Sequence, residues 1–432
     1  MQLVNKVQHA GQTRLRISGR RTADWRTAGR STAGQRIAGQ RIALTAFFAV
    51  HGFMYANWAV RVPAVKEQTG ASAGALGLAL LGMSAGAVTT MLMAGALCRR
   101  FGSCPLTVAS GALLSVTLLL PPLARSATAL GLALLAFGAA YGCLNVAMNT
   151  VAVDLVVALR RPVMPSFHAA WSFGGLAGAG LGGLLAPHLS PLRHLLLIAL
   201  AGLLVTVVAG TALLPDASVR PAPGIPSAAG TPSAASTHYG GWRGALRTGR
   251  VVGVFGLIAL CAAYGEGAIG DWGALHLRQD LGASAGLAAA GYAAFALAEA
   301  TGRLSGSTLL ERCGQARILM TGGLIAGAGM LAAALSPDIW LALAGFAAAG
   351  LGLANMFPAA MARAGLLAGS GGVALASTLG YTGFLLGPPA IGFLASEFGL
   401  PAGLTTVSFL ALATAIIAGR SMPGESPATT RK

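Results

Sequence analysis

Charged residues are scarce in this chain of 432 residues, where they make up 9% of the sequence against 55% apolar residues. Soluble globular domains carry about 25% charged residues, so the composition excludes an ordinary soluble fold. Acids are the scarcer sign, with 12 Asp and Glu against 29 Lys and Arg. The five cysteines show no paired spacing, which predicts neither disulfide bonds nor a metal site.

Motifs for chemistry are also missing. The chain holds no Gly-x-x-x-x-Gly-Lys-Ser/Thr loop for ATP and no Gly-x-Ser-x-Gly elbow for a nucleophilic serine. Its seven histidines are scattered and none has metal-binding spacing. We therefore expect a protein that is not an enzyme and that needs no cofactor.

Long uncharged stretches are what the chain has in abundance. A helix needs roughly 17 to 25 apolar residues to cross about 30 Å of hydrocarbon, and six such stretches occur in each half. They are too long and too little alternating for barrel strands. The predicted fold class is an all-α integral membrane protein with 12 transmembrane helices in two six-helix halves. The predicted spans are 42–60, 73–97, 106–124, 128–153, 166–187, 194–214, 251–274, 284–302, 318–335, 339–361, 373–395 and 400–419.

The second half repeats the first. The pentapeptide that begins at Gly70 returns letter for letter at Gly282, and Asn57-Trp58 before it returns as Asp271-Trp272. A duplicated membrane architecture usually places its working site between the copies.

The positive charge lies mostly on one side of the predicted spans. Only Arg61, Lys66, Arg125, Arg193 and Arg278 fall opposite the side of the termini. By the positive-inside rule both termini are cytoplasmic, and the basic charge indicates a bilayer rather than nucleic acid. We expect a multi-pass protein of the bacterial cytoplasmic membrane, and a monomer.

The domain boundaries follow from composition. Residues 1–41 are predicted to be a disordered basic cytoplasmic tail, or an upstream extension from a misplaced start codon. The six-helix halves are 42–214 and 250–420. Proline, alanine, serine and glycine dominate 215–249, which predicts a cytoplasmic linker, and 421–432 is a cytoplasmic tail.

Two loops resemble a family signature. Gly95-Ala-Leu-Cys-Arg-Arg-Phe-Gly102, in the loop after the second span, is similar to the signature of the major facilitator superfamily, and Glu311-Arg-Cys-Gly314 keeps its charges in the second half. Arg99 stands where that family usually has Asp. The resemblance implies that these loops form a cytoplasmic gate. The gate candidates are Arg99, Arg100, Arg303, Glu311 and Arg312.

Residues 164–175 and 380–389 resemble a bacterial subgroup of that superfamily whose function is largely unassigned and which is loosely akin to fucose permeases. The resemblance covers nearly all of 42–420. It implies a transporter and says almost nothing about the substrate.

Acids within the spans are the candidates for proton coupling. Glu299 lies about 22 Å into its span at 1.5 Å per residue, and an ionisable group at such depth is a functional candidate. The alternative is a structural ion pair with Arg303 four residues later. Glu266, in a glycine-rich stretch, and His168, at the start of the fifth span, are the other proton-coupling candidates. The alternatives are that the helix ends near Glu266, which leaves Glu266 and Asp271 as water-exposed periplasmic residues, and that His168 is an interface residue with satisfied hydrogen bonds.

Polar residues elsewhere in the spans are candidates for a solute cavity. Tyr141, Asn145 and Asn149 recur every four residues and share one helical face, with hydrogen bonding between helices as the alternative. Asn355 is the repeat partner of Asn145. The cavity candidates are His51, Asn57, Tyr141, Asn145, Asn149, Asp271, Asn355 and Tyr381.

These features favour a secondary transporter that moves a small solute by alternating access, with protons as the expected coupling ion. A passive channel or a transporter-like sensor is the alternative, and a membrane-embedded enzyme is a more distant one. The substrate and the direction of transport stay open.

Overall fold

The structure is a computed structural model that describes residues 2–159, 163–214 and 241–421. These residues are helical almost throughout and contain no strand. Thirteen α-helices occur among them, with a short 3₁₀ helix at Pro121–Leu123 and a π-helix at Ile269–Gly273. The helices are α1 Gln2–Thr69, α2 Ala73–Phe101, α3 Ser103–Thr117, α4 Ala127–Leu159, α5 Met164–Leu185, α6 Pro191–Leu213, α7 Gly241–Ala268, α8 Ala274–Gln279, α9 Ala285–Cys313, α10 Gln315–Leu335, α11 Ile339–Leu353, α12 Met356–Phe398 and α13 Leu400–Ser421.

Helix α12 reverses direction within its length. The Ser377 hydroxyl donates to the Met361 sulfur at 3.2 Å, although residues 16 apart in a straight helix stand about 24 Å from each other. The rings of Phe357 and Tyr381 are likewise only 6.5 Å apart. The tenth predicted span therefore comprises α11 and the start of α12, and the eleventh comprises the remainder of α12.

Every predicted span falls on a helix. Nine helical stretches among the described residues have the length and hydropathy to cross a membrane. The other three predicted spans, 166–187, 284–302 and 373–395, lie mainly on α5, α9 and the later part of α12. The prediction of an all-α membrane protein is confirmed.

The sequence repeat corresponds to a repeat of local structure. Gly70 and Gly282 both have positive φ, at 62° and 64°, a conformation that costs residues with a Cβ about 1 kcal/mol or more. Two residues later, Ser72 and Ser284 accept hydrogen bonds from backbone N–H groups of the first turn of α2 and α9. Such serines satisfy donors that have no partner inside the helix. Both copies thus begin their second span with the same turn and the same cap.

Helix packing repeats as well. In the first half α1 packs against α5 and α6, and α4 packs against α2 and α3. In the second half α7 packs against α12 and α13, and α11 packs against α9 and α10. The halves meet where α5 contacts α9 and where α2 contacts α12. Each half is thus a six-helix bundle of the same internal order.

The halves contact each other closely at one end, which we call the closed end. It contains Thr69, Ala73, Leu185, Ala285 and Phe398, the termini of five helices. A Cβ added at Gly77 there would lie 2.6 Å from the Pro388 carbonyl oxygen, and one at Gly183 would lie 2.8 Å from the Ala289 Cβ. Small residues permit such close approach between helices.

Toward the opposite end, glycines of α2 and α9 face residues of their own half. A Cβ at Gly302 or Gly306 of α9 would meet Leu351, Ala354 or Asn355, and one at Gly95 of α2 would meet only Arg99. The two bundles therefore converge at the closed end and separate toward the other.

Two predicted boundaries differ from the structure. α1 begins at Gln2, so the backbone is helical where a disordered tail is predicted over 1–41. Alanine, glutamine and arginine favour helix, and extending an existing helix avoids the cost of nucleation. α7 begins at Gly241, inside the predicted linker. Residues 215–240 and 422–432 lie outside the described residues.

Candidate functional site

Three charged side chains of the second half meet near the middle of the bundle. Arg303 Nη2 of α9 lies 3.0 Å from Glu266 Oε1 of α7 and 2.9 Å from Glu299 Oε1, one turn earlier on α9. The contact with Glu266 is a hydrogen bond. The ion pair of Glu299 with Arg303, foreseen as a structural alternative, is therefore present, and Glu266 joins it.

The Glu299 carboxylate is poorly satisfied for a buried group. Its side chain is 2% exposed, and its Oε1 accepts no hydrogen bond within the described part of the chain, because the nearby Arg303 N–H does not point at it. Burying a carboxylate is costly unless it is both paired and hydrogen-bonded. With two acids and one base, the cluster also carries one negative charge in excess when all three groups are ionised.

The charged cluster faces the first half. The Arg303 guanidinium carbon lies 5.8 Å from the centre of the Trp171 ring of α5, within range of a cation–π interaction. Arg303 and Glu266 keep 20% and 16% of their side-chain surface exposed, although Glu266 lies in the middle of the apolar stretch Gly249–Gln279 and Arg303 lies within α9. The cluster therefore borders a space between the halves.

Aromatic side chains line the same space. The Tyr55 ring of α1 is 5.7 Å from the Tyr141 ring of α4 and 6.0 Å from the Tyr292 ring of α9. Tyr141 and Tyr292 also interact electrostatically with Glu266 and Glu299. Three tyrosines from three helices and both halves thus adjoin the acids.

His51 lies beneath this aromatic group. Its ring stacks on Tyr141 with centres 3.8 Å apart, and its Nε2 is 3.3 Å from the Tyr141 carbonyl oxygen. The side chain is buried, and its Nδ1 has no hydrogen-bond partner among the described residues. The structure brings His51 and Tyr141 together with Glu266, Glu299 and Arg303.

Asp271 lies in the π-helix that interrupts the seventh span. π-Helical turns are rare and often occur at functional sites, and the glycine-rich sequence around Asp271 predicts a departure from regular helix there. The neighbouring Gly270 contacts the Tyr55 hydroxyl so closely that a Cβ would collide with it. Asp271 interacts electrostatically with Tyr55, the same tyrosine that Gly270 contacts.

Asn57 belongs to a different environment. Its Oδ1 is 2.8 Å from His194 Nε2, and Arg61 Nε donates to His194 Nδ1 at 2.6 Å. The Arg61 guanidinium also donates to the carbonyl oxygens of Ala186 and Leu189. Asn57 is therefore held inside the first half, away from the solute space for which the sequence made it a candidate.

The remaining asparagines bond mainly to helix backbone. Asn149 Nδ2 donates to Asn145 Oδ1 at 3.0 Å and to the Asn145 carbonyl oxygen at 2.7 Å, so these two share a helical face as predicted. Asn355 Nδ2 donates to the Gly302 carbonyl oxygen at 2.9 Å, which is a bond between helices. Tyr381 is half-buried beside Phe357.

The gate candidates do not act together in this structure. Arg99, Arg100, Glu311 and Arg312 are exposed and form no ion pair within the described residues. Arg303 lies in the central cluster instead of at the gate, because the acids of α7 and α9 surround it. His168 is exposed and packs edge-on against Phe48, and it interacts electrostatically with Arg303 of the charged cluster.

Several residues of the site were not among the candidates named from the sequence. Tyr55 follows His51 by four residues, and Tyr292 precedes Glu299 by seven, so helical spacing placed both beside known candidates. Trp171 was visible only as a neighbour of His168. The partnership of His194 with Asn57, 137 positions apart, had no signal in the sequence.

A polytopic bundle of two similar six-helix halves, with buried charges at their junction, defines the class of protein as a membrane transporter. The family model of the Major Facilitator Superfamily matches residues 42–275 and 255–432. The chain belongs to this superfamily, as the loop signatures suggested.

Relatives agree with this assignment. An uncharacterised MFS-type transporter of Yersinia pestis is 33% identical, over 86% of this chain and 92% of the relative. An uncharacterised transporter of Sinorhizobium fredii is 32% identical, over 87% and 96%. A solved bacterial homologue of the human lysosomal transporter Spinster, inward-facing and unoccupied, superposes with a TM-score of 0.68 at 15% identity, over 89% of this chain and 96% of the homologue. That likeness shows the fold alone.

Proposed function

We propose that this protein is a secondary active transporter that moves a small polar solute by alternating access, coupled to protons through Glu299 and Glu266. The observation that carries the proposal is the cluster at the junction of the halves. Arg303 holds both acids there against Trp171 of the other half. Ionisable groups within membrane spans are costly, and they commonly mark substrate or proton pathways.

The distribution of contacts between the halves supports alternating access. The halves approach closely at the closed end and not toward the other, so the central space is accessible from one side in this conformation. Rocking of two rigid bundles about a midplane site would transfer access to the other side. By the positive-inside rule the closed end faces away from the cytoplasm, with both termini on the cytoplasmic side.

Protonation of the cluster supplies a reason for coupling. Ionised, the three groups carry one excess negative charge, and closing the space around them would remove that charge from water at a cost. A proton on Glu299 makes the cluster neutral and lowers this cost. Lower pH should therefore favour the state in which the cytoplasmic side closes and the closed end opens. The groups that face Glu299 are Glu266 on α7, Tyr141 on α4, and Tyr292 and Arg303 on α9.

A cross-link at the closed end tests alternating access without knowledge of the solute. A Cβ added at Gly74 would lie 3.8 Å from the Ser396 Cβ on the other half, a separation typical of disulfides. We expect Gly74→Cys with Ser396→Cys to cross-link on oxidation. The cross-link should then protect a third cysteine, Ala288→Cys at the closed end, from an impermeant maleimide, and reduction should restore labelling.

A matched pair within one half controls for the disulfide itself. A Cβ at Gly131 would lie 3.9 Å from the Ala79 Cβ of the same half, so Ala79→Cys with Gly131→Cys should cross-link without protecting Ala288→Cys. If both pairs leave labelling unchanged, the closed end does not open, and a static channel or a sensor replaces the transporter.

Spin labels at positions 74 and 396 test the proton coupling. Their separation in proteoliposomes, measured by double electron–electron resonance, should increase as pH falls. Glu299→Gln should hold the low-pH distribution at every pH, whereas the exposed Glu311→Gln should behave as wild type. The assigned role of Glu299 is contradicted if the distance between the labels does not change with pH, or if it still changes with pH in Glu299→Gln.

A further inference from the structure

Asp271 is a buried acid without a bonded partner. It is 9% exposed and forms no hydrogen bond or ion pair within the described part of the chain. Its repeat counterpart, Asn57, sits in a complete network with His194 and Arg61. At this position the second half therefore has a carboxyl, whereas the first half has an amide with hydrogen-bond partners. The second half lacks the groups that would satisfy the carboxyl.

The surroundings of Asp271 add aromatic surface and no spare base. Tyr55 interacts with it electrostatically and contacts Tyr141 and Tyr292. Arg303, the buried base of the neighbouring cluster, is already held by Glu266 and Glu299. With Asp271 included, this region holds three acids and one arginine, so when these four groups are ionised and His51 is neutral, its charge balance lacks a cation.

Aromatic rings and an unpaired carboxylate together form a binding site suited to a cationic group. The faces of tyrosine rings attract cations within about 6 Å of the ring centre, and groups of such rings bind ammonium ligands. A neutral solute would leave the Asp271 carboxylate without a counter-charge, and an anionic solute would meet a region already rich in acid. An ammonium group would both supply the missing charge and rest against the tyrosines.

We infer that the transported solute carries an ammonium group, and that this group binds between Asp271 and the rings of Tyr55, Tyr141 and Tyr292. The inference rests on the transport function proposed above and narrows its substrate class to organic cations. The cluster of Glu266, Glu299 and Arg303 remains a separate neighbouring group, free to carry the proton.

Tetramethylammonium is the probe that tests this site, and tert-butanol, similar in shape and neutral, is its matched control. Binding to purified protein is followed by saturation-transfer NMR of the methyl protons, with empty detergent micelles as the blank. We expect saturable binding of tetramethylammonium and none of tert-butanol. Asp271→Asn should weaken the binding by about tenfold or more, and Tyr292→Leu should weaken it several-fold, because each removes a cation-attracting group.

Two variants control for charge and for ring loss elsewhere. Asp280→Asn removes an acid that pairs with His276 at the closed end, and Tyr264→Leu removes a ring whose hydroxyl bonds to Thr406 inside the second half. Both should bind tetramethylammonium as wild type does. If Asp271→Asn does not fold, Tyr55→Leu removes one ring from the site and leaves all three acids in place.

Three results would overturn the cation site. They are no saturable binding of tetramethylammonium to wild type, equal binding by wild type and Asp271→Asn, and binding of tert-butanol with the same affinity as tetramethylammonium. Such a result together with a pH-dependent separation between positions 74 and 396 would overturn the substrate class and leave the transporter standing. Saturable, Asp271-dependent binding in a protein whose closed end never opens would keep the cation site and reject transport.

Discussion

The two halves share a fold and differ in how they satisfy their buried polar groups. In the first half, Asn57, Arg61 and His194 bond to one another and to loop carbonyl oxygens. In the second half, Glu266, Glu299 and Arg303 meet at the surface that faces the other half, and one oxygen of Glu299 has no hydrogen bond among the described residues.

This difference distinguishes polar residues that stabilise one half from polar residues that we propose to act in transport. A network complete within one bundle moves with that bundle and has no reason to change when the halves rock. In the proposed transport cycle, groups left incomplete at the junction would gain or lose partners when the halves move, when a proton binds or when a solute enters. The working residues are therefore expected in the second half, with Trp171, Tyr55 and Tyr141 as the contribution of the first.

The largest effect should come from removing the base of the second half. Arg303→Leu leaves Glu266 and Glu299 buried without a counter-charge, and breaking a buried ion pair costs about 3–5 kcal/mol. We expect a marked fall in the apparent Tm of the purified protein, with partial recovery when both acids are also changed to glutamine. The exposed Arg312→Leu serves as the control and should unfold as wild type does. An unchanged Tm for Arg303→Leu would mean that water satisfies the acids and that the cluster is not effectively buried.

A smaller effect is expected in the first half. His194→Leu leaves the Arg61 Nε–H and the Asn57 Oδ1 unpaired, and an unsatisfied buried group costs about 2 kcal/mol. Thermal unfolding should register this loss. The molecules that remain folded should still change the separation between positions 74 and 396 with pH. Loss of that pH response in folded His194→Leu would show that the first-half network takes part in the coupling, and the contrast between the halves would fail.

The smallest effect should be equal in both halves. Gly70→Ala and Gly282→Ala each place a Cβ on a residue with positive φ, at a cost of about 1 kcal/mol. Each variant should lower the apparent Tm by a similar amount, since both turns begin a second span with the same serine cap. Clearly unequal falls in Tm would show that the two turns contribute differently to stability although their backbone conformations match.

Much of the fold was predictable because it depends on local composition. Uncharged runs of sufficient length predict spanning helices, and the copied sequences at Gly70 and Gly282 adopt equivalent turns in the structure. The helical backbone before residue 42 was not predicted, because a polar and basic segment carries no packing signal. The reversal within α12 lies between Met361 and Ser377, where the gap between the predicted spans 339–361 and 373–395 had placed it.

The site was predictable only in part. Depth along a helix identified Glu299, and spacing paired it with Arg303, because both are properties of one helix. Glu266 and Arg303 came together, and Asn57 moved away to His194, through contacts between helices distant in sequence. The sequence analysis named Arg303 both as a gate candidate and as an ion-pair partner of Glu299, and the structure shows the ion pair.

The sequence by itself determined that this chain is a duplicated helical membrane protein, because length, hydropathy and repeated capping residues act locally and survive in any arrangement of the helices. Tertiary structure decided which polar residues are satisfied within a half and which face the junction, since that depends on how helices pack across more than 100 positions. For the same reason, only the packed bundle distinguishes Asn57 from its copy Asp271. Asn57 is part of a hydrogen-bond network, and Asp271 has no bonded partner among the described residues and interacts with Tyr55.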